Sequence, residues 1–340
     1  MERDRLATLL DRCSRLRAVV IGDIFLDRYL EIDESLCERS LETGLAAHQV
    51  TAVQAAPGAA GTITANLRAL GMTVQLVGVV GDDGDGYELR QGLTRLGASL
   101  DGLITVPERR TPTYIKPIVR GGAGDVPREL ERLDVRSRTP LPAGISEQLI
   151  ARLKRMMMSA DVIYVADQVP EPGAGVITEA VREALTRLAA RSPRLPVLVD
   201  SRANIHLFRG LILKPNLAEA SATFAPEAIG DDPLERARHA ALEVARHSGR
   251  VAFVTLGGDG MMVASDGAAR HVPAPPVYQP IDIVGAGDSA MAAIGAALAS
   301  GAHPLEAAQL GNLAAAVTIR KLGTTGTASA AEILARWDAA

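Results

Sequence analysis

The feature that most restricts the fold is a regular alternation of short apolar runs and longer amphipathic stretches beginning near Ile145. The spacing predicts a helix over 145–158, a strand over Val162–Val165, a helix over 174–190 and a strand over Val197–Val199. A strand over Leu211–Leu213, a helix over 233–247 and a strand over Val251–Thr255 follow. Strands joined through long helices need crossover connections, and these put helices on both faces of a parallel sheet. Upstream, Arg17–Gly22 reads as a buried strand after a charged, helix-like opening. Residues 59–70 read as a small-residue helix closed by Gly71, Val74–Val80 as a strand, and Tyr87–Leu96 as an amphipathic stretch stopped by Gly97. Residues 286–338 read as nearly all helix. The expected class is α/β with a mainly parallel sheet.

Three segments break the rhythm. Tyr29–Ile32 and His48–Val53 look like weaker strands, and Thr113–Val119 alternates like a half-exposed one. They could form a small layer away from the main sheet. Open α/β sheets bind ligands beyond the carboxyl ends of their strands, so a flap there would act as a lid.

Composition excludes several function classes. With 340 residues, 22% of them charged, and a net charge of -4, there is no basic face for nucleic acid and no acidic tail. Aromatic residues are 3%, too few for base-stacking platforms, so a site that grips hydroxyls by hydrogen bonds fits better. Cys13 and Cys37 form neither a CxxC pair nor a zinc spacing and read as reduced thiols. The opening MERDRLATLLDRCSRLR has no apolar core of a signal peptide, and the chargeless stretch Ser289–Pro304 is too short to span a bilayer. The expectation is a cytoplasmic protein with no membrane partner.

The sharpest chemical signal is Asp282-Ile-Val-Gly-Ala-Gly-Asp-Ser289, followed at once by an alanine-rich helix. Gly285, Ala286 and Gly287 let backbone amides approach an anion closely. The helix that follows adds unpaired N–H groups and the positive end of its dipole. Such a turn suits the charge that develops on a transferring phosphoryl group. Asp288 in the same turn is expected to be held ionised by the helix terminus, ready to take a proton from a hydroxyl. The same residues would also serve as a plain helix cap. Gly285-Ala-Gly287-Asp-Ser-Ala290 formally satisfies a dinucleotide fingerprint, with Glu306 downstream, but helix follows helix where a βαβ unit is required. The P-loop pattern GxxxxGK[ST] is absent.

Lys214-Pro-Asn-Leu-Ala-Glu219 follows the strand at Leu211–Leu213. Asn216 and Glu219 have capping-box spacing, and at a strand's carboxyl end they could also hold Mg²⁺ through water. Asp167 and Asp200 follow strands too, where both functional groups and surface caps occur. Asp23 ends the first strand in Gly22-Asp-Ile-Phe-Leu-Asp27-Arg-Tyr29; it can accept hydrogen bonds from substrate hydroxyls or be a solvated loop acid.

GDIFLDRY, PGAAGTITANLRALG, KPNLAEA, VTLGGDGMMV and DIVGAGDS, in this order, resemble the ribokinase-like (PfkB) carbohydrate kinases over roughly residues 17–325. GDIFLDRY, Arg132-Leu-Asp134 and Lys321-Leu-Gly-Thr-Thr325 look most like the bacterial D-glycero-β-D-manno-heptose-7-phosphate kinases. The resemblance implies one three-layer α/β/α kinase domain over 1–340. Its β-strand lid would come from about 28–55 and 112–120 and would often pair between two subunits as a homodimer. It implies Asp288 as base, Gly285, Ala286 and Gly287 as anion hole, and Asn216 and Glu219 on Mg·ATP. Thr255, Gly257 and Gly260 would line the nucleotide, with Asn312 near the adenine. Asp282 would lie beside the cation in members that use potassium. Asp23 and Asp27 would face the sugar, Gly58, Thr62 and Asp167 would lie on the same side, and Lys116 would be a lid or phosphate contact.

The sequence departs from that pattern on the sugar side. Where the family usually reads GGAxxN, Ala59 replaces a glycine and Thr62 an asparagine. Asp200-Ser-Arg-Ala203 stands where the heptose kinases carry DPKG, and Arg202 could replace its lysine as a phosphate clamp with a planar fork. Ala166-Asp-Gln168 stands in place of SDYxKG, and that motif's lysine is missing. The first expectation is therefore an ATP-dependent sugar kinase. A nucleoside or other small-alcohol kinase, and a non-catalytic binder of a sugar phosphate or nucleotide, are the alternatives.

Overall fold

β1 (Arg17–Gly22) shows how the architecture arises. All but its first residue is buried, and successive side chains enter different cores: Ala18 and Val20 one, Val19 and Ile21 the other. A strand buried on both faces reads as a continuous apolar run, so it lies inside a sheet covered twice. The computed structural model describes residues 1–120, 128–227, 232–278, 280–323 and 325–339.

In chain order, α1 (Arg3–Cys13) precedes β1. Then come β2 (Ile24–Arg39), β3 (Ala46–Ala59), α2 (Ala60–Ala69), β4 (Thr73–Gly81), α3 (Gly84–Arg95), β5 (Ser99–Val106), β6 (Thr113–Arg120), β7 (Arg128–Glu129) and β8 (Leu133–Val135). The second half runs α4 (Ile145–Met157), β9 (Val162–Asp167), α5 (Glu179–Arg191), β10 (Val197–Ser201), β11 (Ile212–Leu213), α6 (Leu217–Phe224), α7 (Pro233–Ser248) and β12 (Ala252–Thr255). It ends with β13 (Met261–Ser265), β14 (Ala268–Val272), α8 (Ala286–Ala299), α9 (Pro304–Thr318) and α10 (Ala330–Asp338).

The main sheet has nine strands in the order β14-β13-β12-β11-β10-β9-β1-β4-β5. It is parallel from β5 to β12, and β13 and β14 add an antiparallel edge. α1, α2, α3, α8, α9 and α10 pack on one face and α4, α5, α6 and α7 on the other, giving a three-layer α/β/α sandwich. The second sheet has the order β3-β2-β6-β7, with β8 paired to β6. It holds the three segments that broke the rhythm, now as long strands with register shifts at Glu31/Ile32 and Asp33/Glu38.

Two expectations need correction. The helix expected from residue 174 starts at Glu179, capped by the Thr178 hydroxyl. The preceding segment is held off helical geometry because Val176 N–H donates to the Asp23 carboxylate and Gly173 is left-handed (φ 72°). Residues 261–272, for which the apolar pattern predicts no strand, form the β13–β14 hairpin. Its turn, Asp266 (φ 51°) and Gly267 (φ 76°), is the Asp-Gly pair that a tight hairpin needs at two positive φ angles.

Candidate active site

The carboxyl ends of β1, β9, β10 and β11 bring Asp23, Asp167, Asp200, Lys214 and Asn216 to one rim of the sheet, where Asn216 bridges to Thr255 at the end of β12. α8 begins at that rim. Gly285 is its cap at φ 79°, and a Cβ there would lie 2.6 Å from Thr325 Cγ2 and 3.3 Å from Thr62 Cγ2, so the turn requires glycine. The Ala286 N–H turns back to the Ile283 carbonyl at 3.2 Å, leaving those of Gly287 and Asp288 as first-turn donors.

Asp288 is half-buried. Burial pushes its pKa up to about 7; nearby Asp200 adds to the rise and Lys214 opposes it. The expectation of a carboxylate held ionised by the helix terminus is thus reversed, because desolvation and a like charge favour the neutral form. A base poised near neutral pH is what proton abstraction from a hydroxyl requires. Lys214 is buried, and its Nζ lies 2.7 Å from Asp200 Oδ2. Burial works against this ammonium, and Asp200 more than compensates, so its pKa is raised.

On one side lie the residues read as a nucleotide site. Asn216 Oδ1 accepts from Glu219 N–H (2.8 Å), and Glu219 Oε2 accepts from Asn216 N–H (2.9 Å), completing a capping box. Burial, with Asp200 adding, raises the Glu219 pKa although the Asn216 N–H offsets part of it. Thr255 pairs with Asn216 in an isolated parallel bridge. Gly257 (φ 62°) has open space where a side chain would stand, whereas a Cβ on Gly260 (φ 94°) would lie 2.3 Å from the Val272 carbonyl oxygen. Asn312 is buried and donates through Nδ2 to the carbonyls of Val272 (2.9 Å) and Pro273 (3.2 Å), so it pins the exit of β14. Asp282 Oδ1 accepts from Val284 N–H at 3.0 Å. No group of three or more His, Cys, Asp or Glu side chains suited to a metal occurs among the described residues. Asn216 and Glu219 carry side-chain oxygens of the kind that can hold Mg²⁺ through water.

On the other side, Asp27 is buried against Gly58, where a Cβ would lie 2.7 Å from Asp27 Oδ2. Burial raises its pKa, and Lys116, with Nζ 3.5 Å from Oδ1, offsets part of that. Lys116 also donates to the Tyr29 hydroxyl (3.2 Å), which lies 3.5 Å from Thr325 Oγ1, so the second sheet reaches the α8 turn. The Thr62 side chain is buried, with Oγ1 3.5 Å from the Pro57 carbonyl. Arg202 is exposed, and its charge acts on Asp288 and Glu219.

Two further acids at the rim have partners within the protein. Asp23 is buried and accepts the backbone N–H groups of Gln168, Val169 and Val176 at 2.8, 3.0 and 2.7 Å. Its carboxylate braces the loop after β9, so it is not the solvated loop acid of the alternative reading. Asp167 accepts from Ser201 Oγ (2.6 Å) and Asn204 Nδ2 (3.4 Å). Burial, with Asp23 adding, lifts its pKa to about 6. It lines a cleft with Thr178 and Arg182 on the α5 side. Sequence reasoning gave Lys214, Tyr29 and Thr325 no role. A lysine closing an apolar strand was the available signal for the first; for the others there was none.

Comparisons with known proteins give the family and the fold. The profile of the pfkB family carbohydrate kinases matches residues 16–331. Ribokinase from Arabidopsis thaliana, solved with ribose and ATP, superimposes with a TM-score of 0.68 at 18% identity, covering 94% of this chain and 98% of that one. Phosphofructokinase-2 from Escherichia coli, solved with potassium, gives 0.71 at 19%, covering 95% and 99%. That family match makes the chain a phosphotransferase with an alcohol group as acceptor. The chain belongs to the pfkB family of carbohydrate kinases. Among curated relatives, the bifunctional protein HldE of Geobacter metallireducens is 32% identical over 98% of this chain and 65% of its own length. That of Caulobacter vibrioides is 34% identical over 98% and 65%. The chain thus spans about two thirds of the length of the relatives it matches.

Proposed function

We propose that the chain transfers the γ-phosphate of ATP to a hydroxyl of a sugar phosphate resembling heptose 7-phosphate. The observation that carries the phosphoryl transfer is the placement of Asp288 in the glycine turn that opens α8, beside the Lys214 ammonium. Asp288 takes the hydroxyl proton as the acceptor oxygen attacks the γ-phosphorus, and the bond to the ADP oxygen breaks in line. No phosphoenzyme is needed, since positioning and charge neutralisation suffice. The Gly285–Gly287 turn receives the charge on the phosphoryl oxygens.

Asn216, Glu219, Thr255, Gly257 and Gly260 form the nucleotide side. Mg²⁺, held by Asn216 and Glu219 through water, would neutralise charge on the phosphates when bound. Asp282, at the loop before α8, is the candidate neighbour of a monovalent cation. Asp27, Gly58, Thr62, Lys116 and Arg202 form the acceptor side, under the second sheet as lid. The exposed Leu36, Leu41, Leu45, Val50 and Val53 of that sheet and its connecting turn support its pairing with a second copy.

Thr62 favours a second reading of the acceptor. Among the described residues its buried hydroxyl has one long contact, to Pro57, where the family's asparagine would grip a sugar hydroxyl. A site without that amide changes preference, and a nucleoside or other small alcohol is the alternative. ADP release with heptose 7-phosphate, hexose phosphates, ribose and nucleosides separates the two. Release only with a sugar phosphate supports the first, and release only with a nucleoside or unphosphorylated alcohol supports the second.

A further inference from the structure

Lys214 follows β11, and its side chain is only 3% exposed. Among the described residues its ammonium has one close acceptor, Asp200 Oδ2 at 2.7 Å. An ammonium carries three donors, and burying charge with donors left over is costly unless something arrives to take them. Gly287 shows where that would be. A Cβ built on it would lie 3.8 Å from Lys214 Nζ, so no side chain stands between the ammonium and the first turn of α8.

A purely structural ion pair joining β10 to β11 is the competing explanation. Those strands are already joined without it, through the Leu198–Ile212 and Val199–Leu213 pairings and the Lys214 N–H donated to the Val199 carbonyl at 3.0 Å. We infer that Lys214 is a catalytic residue whose ammonium, steered by Asp200 beneath the Gly285–Gly287 turn, donates to an oxygen of the transferring phosphoryl group. The inference rests on the kinase reading of that turn. Lysine suits the task as a compact point charge. The ammonium makes no bond to phosphorus, and its proton stays in place.

The experiment compares Lys214→Met, the double variant Asp200→Asn/Lys214→Met, and Asp288→Asn for kcat, acceptor KM and Tm. Removing one preorganised donor costs roughly 10²- to 10³-fold in kcat. Lys214→Met should lose that much while acceptor KM stays within about threefold. The double variant removes both charges and should regain Tm, as neutral replacements of buried pairs do, but not kcat. Recovery of kcat in the double variant would mean that Lys214 only compensates Asp200, and would overturn the inference. An active Lys214→Met beside an inactive Asp288→Asn overturns it and leaves the kinase reading standing, whereas an active Asp288→Asn sinks the reading itself. If neither methionine variant folds, Lys214→Arg decides. With the charge kept, kcat should stay well above that of Asp288→Asn, and a fall to that level would count against the inference.

Discussion

Gly285 stands against Thr325 so closely that a Cβ built on it would lie 2.6 Å from the threonine Cγ2. The residue is also left-handed, at φ 79°. Gly285→Ala is therefore expected to cost about 1–3 kcal/mol from the backbone alone. Displacing the turn by about 1 Å should lower kcat/KM by roughly 10²-fold. Thermal unfolding and steady-state kinetics check both; an alanine variant with unchanged kcat/KM would show that the turn does not position the phosphoryl group.

Ala59 has φ 54° and ψ -115°, a region that only glycine occupies without strain. The family's usual glycine relieves it. Ala59→Gly should stabilise the protein by about 1 kcal/mol, the strain of about 1–3 kcal/mol less the extra chain entropy of about 0.5–1 kcal/mol. A lower Tm for Ala59→Gly would contradict this.

The Asp288 pKa near 7 gives two linked expectations. As the base must be ionised, kcat/KM should fall about tenfold per pH unit below 7 and level off above it. For stability the sign is opposite. A carboxyl whose folded pKa lies above its unfolded value contributes stability that is complete below the unfolded pKa and lost as pH rises through the folded one. Asp288→Asn should therefore raise Tm relative to the wild type at pH 8 more than at pH 5. Equal shifts at both pH values would contradict the elevated pKa.

Asp23 gives a prediction of the opposite kind. Asparagine can offer only one oxygen to amides that now share two, so a buried N–H is left without an acceptor. Asp23→Asn should lower stability by about 1–3 kcal/mol. Denaturant unfolding reads the loss, and an unchanged midpoint would show that the loop after β9 does not depend on the carboxylate.

Much of this was legible in the sequence because the responsible physics is local. The apolar runs of β1, β9 and β10 announced a doubly covered sheet, and GAGD before an alanine-rich helix announced the glycine turn that opens α8. The Asn216–Glu219 spacing announced its capping box. What was not legible depends on neighbours distant in the chain. Asp23 looked like a free strand-end acid, yet its partners are amides at Gln168, Val169 and Val176. The helix dipole predicted an ionised Asp288, but burial and Asp200, neither visible from the motif, reverse the direction. Lys214 gained its place only once β10 and β11 were seen side by side. The β13–β14 turn is different: Asp266-Gly267 was a readable local signal.

The most direct measurement is ADP release by wild type and Asp288→Asn at pH 8, with Mg·ATP and the panel of sugar phosphates, free sugars and nucleosides. The account predicts acceptor-dependent release by the wild type, and a turnover for the variant lower by roughly 10²-fold or more. Equal turnover by the two proteins with an accepted substrate would contradict it.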